Sequence, residues 1–215
     1  MGRNRWDAVV FDYGRVLSYS PTLSDLQEFA ALVGVTEPPF FELYSNTRDD
    51  YDCGRVDCHQ HWQRFADAAG ISLTPDQVQQ ILQFENSMWL RTNPKALELA
   101  GEIRSQGVRT AILSNMPPDL LTEVRKKFDW LDNFAVQIWS CEHGVIKPDP
   151  AIYHLCLRQL ECEPQRVLFF DDRARNVQAA RQIGMEAHVF ESAEQAAVIV
   201  RQGLASSMLG QADGR

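Results

Sequence analysis

The sequence predicts an α/β protein: a doubly wound parallel sheet with a small all-helical cap inserted after its first strand. Three observations lead there. From Pro94 onward, short apolar runs alternate with helical patterns, the signature of βαβ units in a parallel sheet. The first run, Ala8-Val9-Val10-Phe11, is apolar at every position, so both faces should be covered. Between that run and Pro94, residues 18–92 carry helical spacing and no strand pattern.

Taken in order, the first strand runs straight into Asp12, and Gly14 lets the backbone turn. Leu23, Leu26, Ala30 and Val33 then recur at helical spacing up to Gly34, where a helix stops. Pro38-Pro39 opens a second, short helix through Phe41 and Tyr44, and the polar run 46–54 reads as a loop. Asp57 caps a third helix carrying Trp62, Phe65, Ala66 and Ala69, ending at Gly70. Thr74-Pro75-Asp76-Gln77 is a capping box with proline at the first helical position, and it starts a fourth helix through Val78, Ile81, Leu82 and Met88.

The remaining chain alternates. A helix through Leu97, Ala100 and Ile103 precedes the strand 108–113, which ends in Ser114-Asn115. A helix through Leu120, Val124 and Phe128 precedes the strand 134–139. Asp149-Pro150 opens the next helix, and the strand 167–170 ends in Asp171-Asp172. A helix stopping at Gly184, a last strand at 187–190 and a final helix complete the pattern, with a tail from Ser206 expected to fray. A parallel crossover needs only about a dozen residues, which the helix at 95–106 supplies. Residues 18–92 are surplus to the sheet and leave from a strand's carboxyl end, so they should sit over that end as a lid. The expected division is a core of 1–17 and 93–205, a cap of 18–92 and a disordered tail of 206–215.

Composition narrows the function. The 215 residues suit one domain with an insertion, and 45% hydrophobic with 23% charged residues is ordinary for a soluble enzyme. Lys plus Arg at 21 against Asp plus Glu at 29 gives a net charge of −8, with no basic footprint for nucleic acid or an anionic membrane. No apolar run approaches the ~20 residues that span a bilayer. The five cysteines are odd in number and scattered, which suggests reduced thiols in a cytoplasm. Cys53, Cys58, His59 and His61 include metal-ligand types, but adjacent Cys58 and His59 point to different sides of a helix. A surface helix with incidental ligands is the preferred reading over a zinc site.

Four polar groups follow strands or open helices: Asp12, Ser114, Lys147 and the pair Asp171-Asp172. The carboxyl ends of parallel strands share one edge, so these groups can converge. Singly, each has a dull explanation as a turn, cap or surface residue. Together, three carboxylates would raise one another's pKa unless a cation joins them, and hard oxygen ligands suit Mg²⁺. A hydroxyl, a lysine and exposed N–H groups are what a phosphate requires.

The order V-V-F-D-Y-G, I-L-S-N, K-P-D-P, L-F-F-D-D resembles the haloacid dehalogenase-like (HAD) hydrolase superfamily over nearly the whole chain. It is most similar to the small-cap sugar-phosphate phosphatases that read F-D-x-G-x-V and to the phosphatase-like domain of epoxide hydrolases. The resemblance implies a Rossmann-like HAD core and a hydrolase acting on a small phosphorylated metabolite, with the protein a monomer or homodimer. It implies Asp12 as the nucleophile that forms an aspartyl-phosphate. It places Mg²⁺ on Asp12, the Gly14 carbonyl and Asp172, with Asp171 acting through water. Ser114, Asn115, Lys147 and Arg15 would bind phosphate, and Asn176 would orient the lysine by a neutral hydrogen bond.

The pattern departs at Gly14, where most phosphatases of this superfamily carry a second Asp as general acid and base. Three readings stay open: a substrate with a good leaving group, such as an anomeric sugar phosphate; a substitute acid among Tyr13, Arg15, Asp49 and Asp52; or a weakened catalyst that only binds phosphate. Haloacid dehalogenation is a rival activity, against which the Asp171-Asp172 pair argues by repelling an organic acid. Arg48, Tyr51, Arg55, Trp62, Trp89 and Arg91 are candidates to contact the substrate body, although packing between cap helices is the better reading for the aromatics.

Overall fold

The computed structural model describes residues 4–35 and 39–209. Five strands, β1 (Ala8–Phe11), β2 (Arg109–Ser114), β3 (Val136–Trp139), β4 (Val167–Asp171) and β5 (Glu186–Val189), form one parallel sheet in the order β3-β2-β1-β4-β5. Side-chain alternation explains why β1 is apolar throughout. Val9 and Phe11 of β1 enter one core with Ile112, Leu168 and Phe170, while Ala8 and Val10 enter a second core with Ala111, Leu113 and Phe169.

Between β1 and the next core helix lie α1 (Leu23–Val33), α2 (Pro39–Asp52), α3 (Cys58–Ala69) and α4 (Pro75–Trp89). They build a core of their own around Phe29, Phe40, Trp62, Phe65 and Ile81. The capping boxes at Asp57 and Thr74 and the left-handed glycines Gly34 and Gly70 stand where the sequence puts them. At the base of this insertion Ser18 and Thr92 form an antiparallel bridge, and the N–H groups of Tyr19 and Asn93 donate to the carbonyls of Arg91 and Leu17 at 2.8 Å each.

The core helices are α5 (Pro94–Ser105), α6 (Pro118–Lys127), α7 (Ser140–His143), α8 (Pro150–Leu160), α9 (Ala174–Ile183) and α10 (Ala193–Leu209). No described helix is long and apolar enough to cross a membrane.

Two expectations need correction, and one element is new. The run 46–54, expected to be a loop, is helical up to Asp52. Thr47 Oγ1 donates back to the Leu43 carbonyl at 3.0 Å, and Arg48 pairs with Asp52 one turn on at 2.7 Å, so polar residues complete the helix instead of breaking it. The short helix α7 was not foreseen. Helix α10 continues through Leu209, past the Ser206 at which fraying was expected; 210–215 and Pro38 lie outside the described residues.

Candidate active site

The strand order reverses direction at β1: the chain moves outward through β2 and β3, then returns to place β4 on the other side. The crevice at such a reversal, beyond the carboxyl ends of the strands, is where open α/β sheets bind ligands. Asp12 follows β1 and Asp171 ends β4, with Phe11 in register with Phe170. Asp12, Asp171 and Asp172 each bring a carboxylate oxygen within 4.8 Å of the others.

Lys147 is buried among them. Its Nζ lies 3.0 Å from Asp12 Oδ1 and 2.6 Å from Asp171 Oδ2, and it donates to the Leu113 carbonyl at 2.7 Å. Asn115 fixes the lysine's backbone from both sides: Oδ1 accepts from the Lys147 N–H at 2.7 Å and Nδ2 donates to its carbonyl at 2.9 Å. Asp12 Oδ1 also accepts from the Tyr13 N–H at 2.7 Å. No described group donates to Asp12 Oδ2.

The electrostatics follow from burial. Asp12 is pushed up to about 7, first by burial, against the pull of Lys147, and further by Asp171 and Asp172. Asp172 is raised by burial and then by Asp171. Burial opposes the charge on Lys147, but Asp12 and Asp171 outweigh it and hold its pKa above the usual lysine range. Three carboxylates against one ammonium leave an excess of negative charge in a buried crevice. A hard divalent cation satisfies such a donor set, so the residues present fit Mg²⁺.

A cavity of about 560 Å³ opens over these groups, lined on the core side by Asp12, Gly14, Arg15, Ser114, Asn115, Lys147 and Asp172. The expected site residues therefore meet in one place, with Asp171 just beneath. Asp171 is fully buried, and both its oxygens accept hydrogen bonds, from Lys147, Asn176 Nδ2 and the Arg173 N–H. Asn176 thus reaches the lysine through Asp171 and not directly. Arg15 is exposed, has φ +60°, and lies 3.4 Å from Asp172 Oδ2.

Of the residues expected to meet the substrate body, Arg48 and Trp89 line the cavity. Arg48 is spent on Glu85, Asp52 and the Tyr44 hydroxyl. Tyr51 donates to Asp119 Oδ2 at 2.9 Å, Trp62 is buried, Arg55 bonds Asp50 and the Gly144 carbonyl, and Arg91 bonds Asp25. Tyr44, Ser45, Arg173 and Arg175 also line the cavity and were not foreseen. Nothing in their local pattern distinguishes them from ordinary helix surface. Cys53, Cys58, His59 and His61 form no metal-ligating group among the described residues.

The sequence profile of the haloacid dehalogenase-like hydrolases matches residues 23–184. The chain belongs to this family. Relatives of this HAD-like hydrolase include a phosphorylated carbohydrates phosphatase of Thermotoga maritima, 26% identical over 165 residues, which are 70% of this chain and 76% of that protein. Rat bifunctional epoxide hydrolase 2 is 33% identical over 129 residues, 55% of this chain and 22% of the relative. Mouse acyl-CoA dehydrogenase family member 10 is 34% identical over 97 residues, 43% of this chain and 8% of the relative. The chain thus spans under a quarter of the length of the last two.

Among solved structures, a HAD family enzyme of Bacteroides thetaiotaomicron in complex with magnesium and inorganic phosphate superposes with a TM-score of 0.70. It is 19% identical, over 86% of this chain and 93% of that one. An L-2-haloacid dehalogenase of Xanthobacter autotrophicus superposes at 0.63, with 22% identity over 94% and 86%. These two likenesses concern the fold of the HAD-like hydrolase.

Proposed function

We propose that this HAD-like hydrolase is a Mg²⁺-dependent phosphatase that removes phosphate from a small phosphorylated metabolite through an aspartyl-phosphate on Asp12. The observation that carries the proposal is the buried Lys147, 3.0 Å from Asp12 and 2.6 Å from Asp171, inside a cluster of three carboxylates. Asp12, the Gly14 carbonyl and Asp172 would hold the cation, with Asp171 behind them. The cation would offset the carboxylates so that an anionic phosphoryl group can approach, and would polarise that group.

The chain's own residues supply the rest. Asp12 Oδ2 attacks phosphorus, while Oδ1 stays fixed by the Tyr13 N–H and Lys147. Ser114 and the Asn115 N–H face the same cavity and donate to phosphate oxygens, with Arg15 at the rim. Residues 18–92 act as the cap, whose α2 roofs the cavity with polar groups suited to a hydroxyl-rich body such as a sugar phosphate. The carbohydrate phosphatase among the relatives supports the same substrate class.

The dehalogenase reading is disfavoured by Asp172. It lies beside Asp12, and as a carboxylate would repel a 2-haloacid carboxylate. The test is phosphate release from a panel of phosphorylated metabolites, with and without Mg²⁺. Asp12→Asn is expected to lower kcat more than about a hundredfold, as loss of a covalent nucleophile does. A smaller loss, activity that survives chelation of divalent ions, or halide release from 2-haloacids would overturn the reading.

A further inference from the structure

Phosphate transfer to Asp12 leaves one requirement unmet: the departing alcohol needs a proton, and position 14 has no side chain to give it. A Cβ at Gly14 would stand 3.6 Å from the Trp89 ring, so the indole, and not an acid, fills the space above it. The donor must come from elsewhere on the cavity wall. A guanidinium does not deprotonate in proteins, so the arginines there are excluded. The Tyr13 hydroxyl is buried and donates to the Trp89 carbonyl at 2.9 Å, and the Tyr44 hydroxyl donates to Glu85. Lys147 is tied to the nucleophile. Two cap carboxyls remain: Asp49, which is exposed, and Asp52.

Asp52 closes α2, its side chain only 15% exposed. Its Oδ1 is sealed and lies 2.7 Å from an Arg48 nitrogen, so Oδ2, to which no described group donates, is the oxygen open to the cavity. The residue is also fastened to the segment that follows β2. Its backbone carbonyl accepts from Ser140 Oγ, and that same oxygen accepts from the Met116 N–H at 2.8 Å, two residues beyond Ser114. Burial raises the Asp52 pKa above the carboxylate range, opposed by Arg48 of its own helix and Arg173 at the start of α9, and aided by Asp49. Tyr44 of the same helix, Cys141 of α7 and, beyond Arg48, Glu85 of α4 are its other charged or titratable neighbours. A carboxyl so shifted can hold a proton nearer neutral pH, as a general acid must.

We propose that Asp52 is the general acid and base of this hydrolase. The inference rests on the phosphatase reading above. In the first step the Asp12 Oδ2–P bond forms, and the P–O bond to the leaving group breaks with its electron pair on the alcohol oxygen. That oxygen takes the Asp52 proton. In the second, water attacks phosphorus, the P–O bond to Asp12 breaks with its pair returning to the carboxylate, and the proton released by water goes to Asp52. Ester and water become alcohol and phosphate, with both carboxyls restored.

The experiment compares wild type with Asp52→Asn on aryl and alkyl phosphates in the presence of Mg²⁺. On alkyl phosphates kcat/KM is expected to fall about 10²- to 10⁴-fold, the range for a lost general acid. On p-nitrophenyl phosphate, whose leaving group needs no proton, kcat/KM should change far less. Nitrophenol should then appear as a burst equal to the enzyme, followed by slow turnover, because the second step has lost its base.

Glu85→Gln disturbs the same Arg48 pairing without touching the proton carrier and should leave the leaving-group dependence unchanged. If Asp52→Asn does not fold, Asp52→Glu keeps a carboxyl beside Arg48 and should keep the leaving-group dependence of wild type. An equal loss on every substrate, a wild-type profile in Asp52→Asn, or the asparagine profile reproduced by Glu85→Gln or Asp52→Glu would overturn the assignment. Asp12→Asn separates the two failures. If it is inert while Asp52→Asn behaves as wild type, only the Asp52 assignment falls; if it still turns over, the phosphatase mechanism falls first.

Discussion

At the scale of single residues, Lys147 is held more by what it balances than by what it touches. Removing it leaves Asp171 fully buried without its cation. Lys147→Met is therefore expected to destabilise the fold by about 3–5 kcal/mol, the usual cost of breaking a buried pair from one side. Adding Asp171→Asn should recover part of that loss; urea unfolding of the single and double variants measures both. His61 titrates in the opposite sense. Burial first, then Arg48, lowers its pKa to about 3; Nδ1 meets the Thr47 carbonyl at 3.1 Å, Nε2 is buried without a partner, and the ring stacks on Tyr51. The unfolded histidine takes its proton near its ordinary value of 6.5 and the folded one only near 3. Its contribution is thus present above pH 6.5 and lost as pH falls, by up to about 1.4 kcal/mol per unit. Urea midpoints between pH 7 and 4.5 should fall more steeply for wild type than for His61→Phe.

At the scale of elements, α2 carries both the roof of the cavity and its attachment to the core. Gly54, just past its end, has φ +74°, and a Cβ there would come within 2.6 Å of the Cys141 carbonyl oxygen. Gly54→Ala should cost about 2 kcal/mol or more, from left-handed strain of about 1–2 kcal/mol plus the overlap. Thermal melting with a phosphate-release assay would register the loss of stability and a loosened roof together. The same helix marks the limit of what the sequence discloses. Capping boxes at Asp57 and Thr74 are local, so the helices they start are legible from four residues each. The polar stretch of α2 is held by Arg48 meeting Glu85, 37 positions away, and no local pattern announces that pairing. The site divides likewise. Asp12, Ser114 and Asp171-Asp172 stand at strand ends, where topology alone gathers them. That Asp171 accepts from Asn176 and Lys147 is a matter of side-chain direction that spacing does not encode.

At the scale of the whole molecule, β1 and β4 each hold a carboxylate at the sheet's reversal point, so a cation bound there joins the two halves of the fold. A ligand that binds only the folded state at a hundred times its Kd adds about 2.7 kcal/mol. For a domain of this size that is about 2–4 °C of Tm per kcal/mol. Saturating Mg²⁺ should therefore raise the Tm of wild type by several degrees and leave Asp172→Asn nearly unmoved, which calorimetry with and without a chelator can establish. Lys147 reaches a carbonyl of β2, the carboxylate just after β1 and the one that ends β4, three neighbouring strands at one point. A slip of any of the three would displace the ammonium that balances those carboxylates. Selection for turnover in this lineage would then police the packing of the sheet's interior, and damage far from the crevice would show first as lost rate.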